Sequence, residues 1–382
     1  NILAAKVDYT KIIKIDAKFE AGIKSAYTKT DNEAIYSNTI DGITMPEYSL
    51  SNRFIYDEWI NAAYLNYGRT IGKIDIQLGL RAEYTNLTGN QLGNIVVSDT
   101  SFTRNYGSIF PTLYIHTNLD SLGKHNLNFT YGRRIERPYF EDLNPFISPL
   151  DKFTFYTGNP DLLPTYSHNI SLSHTYNNVL TTAISYSITT DGISETLEID
   201  NGIYYSRPGN IAASQNLALS VSGNFQIAKW YSLNVYAEGA LVRFDSDLYT
   251  EKLNSRGTNV YLSATNSFTI GKEWKMDIGG RFLNNHVSSQ LTIKGYAIAN
   301  IGIKRNIFKG KGSIRIAAND IFYSQIGSGI INNLKQTNAD WNSKFDSRNV
   351  TITLSIKFGK TGSLKKKHNG SGSESEQQRI RG

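Results

Sequence analysis

The stretch "NVTITLSIKF", residues 349–358, decides the fold. Val350, Ile352, Leu354, Ile356 and Phe358 are apolar, and Thr351, Thr353, Ser355 and Lys357 between them are polar. Successive side chains of a strand point to opposite faces, so this period of two makes one greasy face and one wet face. The pattern recurs. Ile74, Ile76, Leu78, Leu80 and Ala82 alternate with Asp75, Gln77, Gly79, Arg81 and Glu83. Tyr231, Leu233, Val235, Ala237 and Leu241 alternate with Ser232, Asn234, Tyr236 and Glu238, and Trp274 to Phe282 and Leu217 to Ile227 repeat the motif. Around Ile298 to Ile303 the phase slips, which predicts a bulge.

Two architectures use such alternation. A soluble sandwich packs its apolar faces inward, whereas a transmembrane barrel turns them out to lipid around a polar lumen. Length separates the two: these segments run to roughly ten residues or more, against a mode of about five or six in soluble strands and about 9–11 for a tilted bilayer crossing. The connections point the same way. Short turns are expected near Thr10 to Ile13, Gly68 to Gly72, Asp120 to Gly123, Asn177-Asn178, Ala228 to Trp230, Gly271 to Glu273 and Asn306 to Gly310. Longer polar excursions lie between them: Lys29 to Asn52, Asn86 to Asn105, Glu136 to Pro164, Asp191 to Asn210, Asp245 to Arg256, Asn284 to Ile293 and Ser324 to Asp346. Short inner turns alternating with long outer loops are a habit of outer-membrane barrels. Trp59, Tyr64, Tyr67, Trp230, Tyr231, Trp274 and Phe308 near strand ends are read as interfacial girdles.

Composition removes other classes. The chain has 382 residues, 40% hydrophobic, with no cysteine, so it holds neither disulfides nor thiolate metal sites. No apolar run is long enough for a transmembrane helix. Of the net charge of +7, the segment from Lys360 to Gly382 carries four Lys and two Arg against two Glu, a net +4, which leaves +3 for the body. A body so weakly basic offers no grip on nucleic acid. The chain divides into a barrel region, 1–359, and a basic Gly/Ser-rich extension, 360–382, expected to be disordered, periplasmic and no part of the barrel.

The fold class expected is all-β, an antiparallel transmembrane β-barrel. Seven short turns and a last unpaired strand give about fifteen strands, with the first running inward. Bacterial single-chain barrels have even counts and begin on the periplasmic side. The expected resolution is that this region is the C-terminal part, about 14–16 strands, of a larger plugged barrel whose N-terminal strands and plug lie outside it.

The segment "YGRRIERPYFEDLNPF", residues 131–146, and "GNPDLLPTYSHNISLSHTY", residues 158–176, carry a resemblance. Arg134-Ile135, Arg137-Pro138, Leu143-Asn144-Pro145, Gly158-Asn159-Pro160-Asp161-Leu162 and Pro164 resemble the barrel of TonB-dependent outer-membrane receptors, most of all the Bacteroidetes-type β-barrel group related to SusC-like receptors. Asn319-Asp320-Ile321-Phe322 is similar to an element near the C-terminal end of such barrels. The resemblance implies the outer membrane of a Gram-negative bacterium, uptake of a bulky nutrient, a plug domain, an inner-membrane energy-coupling complex and a surface lipoprotein partner. Without the family, the prolines still describe an ordered loop at the barrel rim, because each fixes its own φ and holds the preceding residue extended.

No nucleophile elbow, phosphate loop, dinucleotide motif or zinc motif is present, so neither an enzyme nor a cofactor is expected. Glu141-Asp142 and Asp245 with Asp247 have the oxygen chemistry of a Ca²⁺ site, but solvated loop charge is the weightier reading. By strand parity Arg81, Glu83, Arg134, Glu238, Arg281 and Arg315 point to the lumen. With Arg137 of the motif, Arg81, Glu83, Arg134, Arg281 and Arg315 are the residues expected to guide a solute at lumen or rim; a plain polar wall is the competing role. A passive porin, an assembly or secretion component and a soluble carbohydrate-binding β-domain are the alternative functions.

Overall fold

A computed structural model describes residues 1–200, 202–210, 214–247, 252–334, 339–358 and 372–379. Fifteen strands form one antiparallel sheet in strict chain order. They are β1 (Ile2–Lys14), β2 (Ala17–Ala34), β3 (Asn52–Ile71), β4 (Ile74–Leu92) and β5 (Thr100–Asn118). Next come β6 (His125–Glu136), β7 (Thr165–Tyr176), β8 (Leu180–Thr190), β9 (Ser214–Ala228) and β10 (Tyr231–Asp247). The sheet ends with β11 (Lys252–Ile270), β12 (Trp274–Leu283), β13 (Tyr296–Ile307), β14 (Gly312–Asn319) and β15 (Asn349–Ile356). Among the described residues the outermost strands, β1 and β15, each pair on one side only.

The short connections lie at one end of the sheet. Between β7 and β8, Asn177 and Asn178 adopt φ of 52° and 55°, and Val179 N–H donates to Tyr176 O at 2.9 Å. Positive φ at both central positions defines a type I′ turn, and Asn tolerates it. Six of the seven expected turns fall where the sequence puts them. The first lies later, at Ile15-Asp16, because β1 runs on to Lys14. The bulge expected near Ile298 is absent: β13 pairs β12 without a shift from Tyr296 to Arg305. Ile298 is a buried apolar side chain on the inward parity, and that alone breaks the sequence period. The register shifts instead lie at Ile12/Lys14 and Gln226/Ala228, both beside short turns.

The ladders carry one parity round the wall. Leu172 faces Ile184, Ile184 faces Leu219, and Leu219 faces Gly239. Ile184, Leu219 and Leu241 remain 48%, 55% and 59% exposed, with no second layer over them. An apolar band of this extent is stable only against lipid. The opposite parity presents Ser185, Ser220 and Glu238 to the interior. Trp230 and Tyr231 stack on Phe268, and Arg305 lies 5.1 Å from the Trp274 ring at the short-turn end, as a girdle requires. Tyr64 is a correction: it points inward, where its hydroxyl donates to Asp8, and is no part of a girdle. Among the described residues no helix is long and apolar enough to cross a membrane, so the crossings are made by strands.

At the other end the loops fold onto one another. Ile193–Asp200, Ile203–Asn210, Thr154–Thr157 and Ile147–Pro149 form a four-stranded sheet, in that order, with Thr154–Thr157 parallel to its longer neighbour. A second sheet joins His286–Ser288, Leu291–Ile293, Ile326–Ile331 and Ala339–Lys344. Gln290 fastens the two together: its amide accepts from Leu197 N–H and donates to Leu197 O, both at 3.2 Å.

Asp320 opens the loop after β14. Its carboxylate, 1% exposed, accepts from Ser324 N–H at 2.9 Å, Gln325 N–H at 2.9 Å and the hydroxyls of Ser324 at 2.9 Å and Ser347 at 2.7 Å. Burial pushes its pKa up, but these four donors outweigh burial and hold it at about 2, below the ordinary 3.8. A depressed folded value means that the stabilisation is complete above about pH 4 and disappears as pH falls through about 2. Amide exchange across residues 320–326 is expected to accelerate in that window. Asp320→Asn, which turns an –NH₂ toward these donors, is expected to accelerate it already at neutral pH, at a cost of about 1–3 kcal/mol.

Candidate lumen site

The loop from Arg137 to Pro164 turns into the barrel instead of resting on its rim. Phe140, Leu143 and Leu162 pack on Phe54, Tyr56 and Leu87 of the inner wall and make the main apolar cluster of the protein. A 3-10 turn, Glu141–Leu143, sits at the bottom of the loop. Its neighbours lock it: Asn52 donates to Asn144 Oδ1 at 3.1 Å, Asn159 N–H to Asp142 O at 2.6 Å and the Tyr156 hydroxyl to Asp142 Oδ1 at 2.8 Å. Arg104 of β5 binds the carbonyls of Pro160 and Leu162 and pairs with Asp161 at 3.1 Å. With two carbonyls and one carboxylate converging on it, the single guanidinium clamps the turn.

Gly158 allows a close backbone approach. A Cβ there would overlap Asn144 O and stand 2.7 Å from Asp142 O, both backbone atoms. Gly158→Val is therefore expected to lift the loop off the wall, and limited proteolysis at Lys152 on whole cells should become faster while the heat-resistant barrel persists.

Beneath the loop the wall is charged. Arg137 donates to Glu83 Oε2 at 2.6 Å and Thr85 Oγ1 at 3.0 Å, and Arg81 binds the other oxygen of Glu83. Glu83 and Arg137 side chains are 7% and 11% exposed. A buried carboxylate between two guanidiniums is a fully compensated charge, which fixes the start of the loop to β4. On the adjacent strand β3, Glu58 accepts from the Tyr56 hydroxyl at 3.0 Å and from Arg379 at 2.5 Å. A cavity of about 180 Å³ lies between the loop and the 193–210 hairpin, lined by Glu136, Arg137, Tyr139, Asp142, Tyr156 and Glu195 among others. Its carboxylates, phenols and single guanidinium suit a polar group rich in hydrogen-bond donors.

The expected site residues part company. Arg81, Glu83 and Arg137 come together. Arg134 is an exposed residue of β6 opposite Ser167. Arg281 lies on β12 with its guanidinium 5.9 Å from the Tyr296 ring, and Arg315 on β14 lies over Gly302. All three share the inward parity but stand apart from the Arg137 cluster. Of the two carboxylate pairs, Asp245 pairs with Arg243 at 2.5 Å and Asp142 is buried with Tyr156; no group of three or more possible metal ligands occurs among the described residues. Glu58 and Lys24 were not singled out by sequence, although inward parity on their strands was available to find them.

The extension also departs from expectation. Residues 372–379 are not outside the barrel: Glu376 pairs with Lys24, and Arg379 reaches Glu58, Pro138 O and the Phe140 ring. Positions 360–371 and 380–382 lie outside the described residues.

Comparison with known proteins follows this architecture. The siderophore receptor PiuA from Acinetobacter baumannii superposes with a TM-score of 0.59 at 11% identity, over 94% of this chain and 56% of that one. The ferric yersiniabactin uptake receptor FyuA from Yersinia pestis gives 0.65 at 14%, over 93% and 54%. The ferric-catecholate import receptor Fiu from E. coli K12 gives 0.63 at 12%, over 94% and 54%. The chain thus spans just over half the length of these receptors, and at such identity the likeness is one of fold. No curated protein matches it in sequence. A family model matches residues 1–357, almost the whole described barrel, and on that match this chain, a barrel of the Gram-negative outer membrane, belongs to the outer membrane protein beta-barrel family.

Proposed function

We propose that this chain is the barrel wall of an outer-membrane uptake receptor, of the TonB-dependent, Bacteroidetes-type group related to SusC-like receptors. The observation that carries the reading is the loop 137–164, packed into the lumen and held there by Arg104 and by the Arg137–Glu83 pair. A passive porin needs an open water path, and an inward loop anchored by buried charge narrows it. The likeness in fold to a siderophore receptor, a ferric yersiniabactin uptake receptor and a ferric-catecholate import receptor supports the reading. The substrate class is a bulky nutrient, met first by the loop sheets and the cavity beside Tyr139 and Tyr156.

The unpaired edges of β1 and β15 belong to this proposal. Each unsatisfied backbone group in hydrocarbon costs several kcal/mol, so in the membrane these edges are paired, and further strands of the same polypeptide are the simplest partners. A plug inside the completed barrel, an inner-membrane energy-coupling complex and a surface lipoprotein over the loop sheets are the remaining parts. Liposome swelling with small sugars and the full-length protein tests the receptor against the porin. A receptor gives no swelling, and uptake in cells stops when the proton gradient is collapsed. Steady swelling that ignores the gradient refutes the proposal in favour of a porin.

A further inference from the structure

We propose that the inner wall between β2 and β3 is a docking site for the chain's own Ser373–Arg379 segment, and that this segment is a removable constriction of the lumen which holds the 137–164 loop inward. The wall offers a cation at Lys24 and an anion at Glu58, and the segment offers the reverse, an anion at Glu376 and a cation at Arg379. Lys24 Nζ lies 2.9 Å from Glu376 Oε1 and 3.0 Å from Oε2, with Ser375 Oγ at 3.2 Å. Arg379 meets Glu58 Oε2 at 2.5 Å, donates through Nε to Pro138 O at 3.0 Å and lies 4.4 Å from the Phe140 ring centroid. The four charged side chains are 8%, 4%, 11% and 0% exposed in the order Lys24, Glu376, Arg379, Glu58.

The spacing gives the dock a direction. Lys24 pairs with Ala62 across the ladder, so Glu58 stands four residues further along β3, about 13 Å at 3.3 Å per residue. Glu376 and Arg379 are three apart near a single helical turn, Glu374–Gln377, and the long Lys, Glu and Arg side chains cover the remainder. Reversing the segment would set like charge on like charge. It therefore runs from the level of Lys24 up toward the loop, and Arg379 joins wall to loop by touching Glu58 on one and Pro138 and Phe140 on the other. Removing one member leaves the other buried and unpaired, which makes the contact selective for a segment carrying both charges in this order.

The absence of native cysteine allows a direct test in the full-length protein in outer-membrane vesicles. The K24C/E376C variant, treated with a bismaleimide about 10 Å long, is expected to give one intramolecular product. In the same background R379E or E58R is expected to lower the yield at least about tenfold, and the combination of E58R with R379E to restore it, since a broken buried pair is worth more than the 1.4 kcal/mol that corresponds to tenfold. Restoration by the double reversal separates lost docking from lost folding. No product while Glu58 and Arg379 are intact, or a yield that R379E leaves unchanged, overturns the dock. Deleting residues 372–382 is expected to speed trypsin cleavage at exposed Lys152 at least about tenfold by the same argument, with the barrel still heat-resistant. Unchanged cleavage there overturns the part of the proposal that concerns the loop.

Discussion

Arg137→Ala is expected to destabilise the loop-bound state by about 3–5 kcal/mol, the usual cost of stranding one partner of a buried ion pair. Glu83 is 7% exposed and would keep only Arg81, which lies further toward water at 35%. Thr85 would lose its donor as well. Removing both charges, as Arg137→Met with Glu83→Leu, is expected to cost much less than either single change, because the charge left without its partner, Arg81, is 35% exposed and reaches water. A double-mutant cycle read by unfolding in detergent micelles measures this. Single changes near zero would mean that Arg137 is a solvated residue of the rim and that the loop is held by its apolar cluster alone.

The second large effect is on the lipid side. Ile184→Arg is expected to cost about 2–4 kcal/mol of folding into bilayers, and Ser185→Arg, one residue on, about 1 kcal/mol or less. Ile184 lies between Leu172 and Leu219 on the outer face, a few residues from the turn at Asn177, well inside the apolar band. Ser185 faces the lumen between Ser171 and Ala218, where a guanidinium stays wet. Folding yield into liposomes, followed by the shift in gel mobility of the unboiled protein, compares the two. Equal penalties would contradict the assignment of faces.

These two cases show what the sequence made legible. Period two needs no knowledge of partners: each strand reports its own greasy face, and β15 or β4 can be read alone. Turns also announce themselves locally, through Asn177-Asn178 or Gly72. Where the reading failed, the deciding contact was distant or the residue type was tolerated on both faces. Tyr64 passes for a girdle residue because tyrosine suits interface and lumen alike; Asp8, 56 positions away, draws it inward. Ile298 imitates a bulge because a buried lumen position accepts an apolar side chain. Gln290 joins Leu197 across 93 residues, and nothing near either one foretells it. Arg137 and Glu83 were each singled out, yet their pairing across 54 residues is visible only in the folded wall. The segment around Glu376 and Arg379 looks like solvated polar chain because its counter-charges, Lys24 and Glu58, lie more than 300 residues upstream.

Spin labels placed one at a time on this cysteine-free chain test the central claim, a barrel whose apolar parity faces lipid. Labels at Leu172, Ile184 and Leu219 in proteoliposomes are predicted to collide with dissolved oxygen, and labels at Ser171, Ser185 and Ser220 with a water-soluble nickel chelate, alternating residue by residue. Loss of that alternation, with both sets shielded from both reagents, would place the two faces in one dry core and contradict the account.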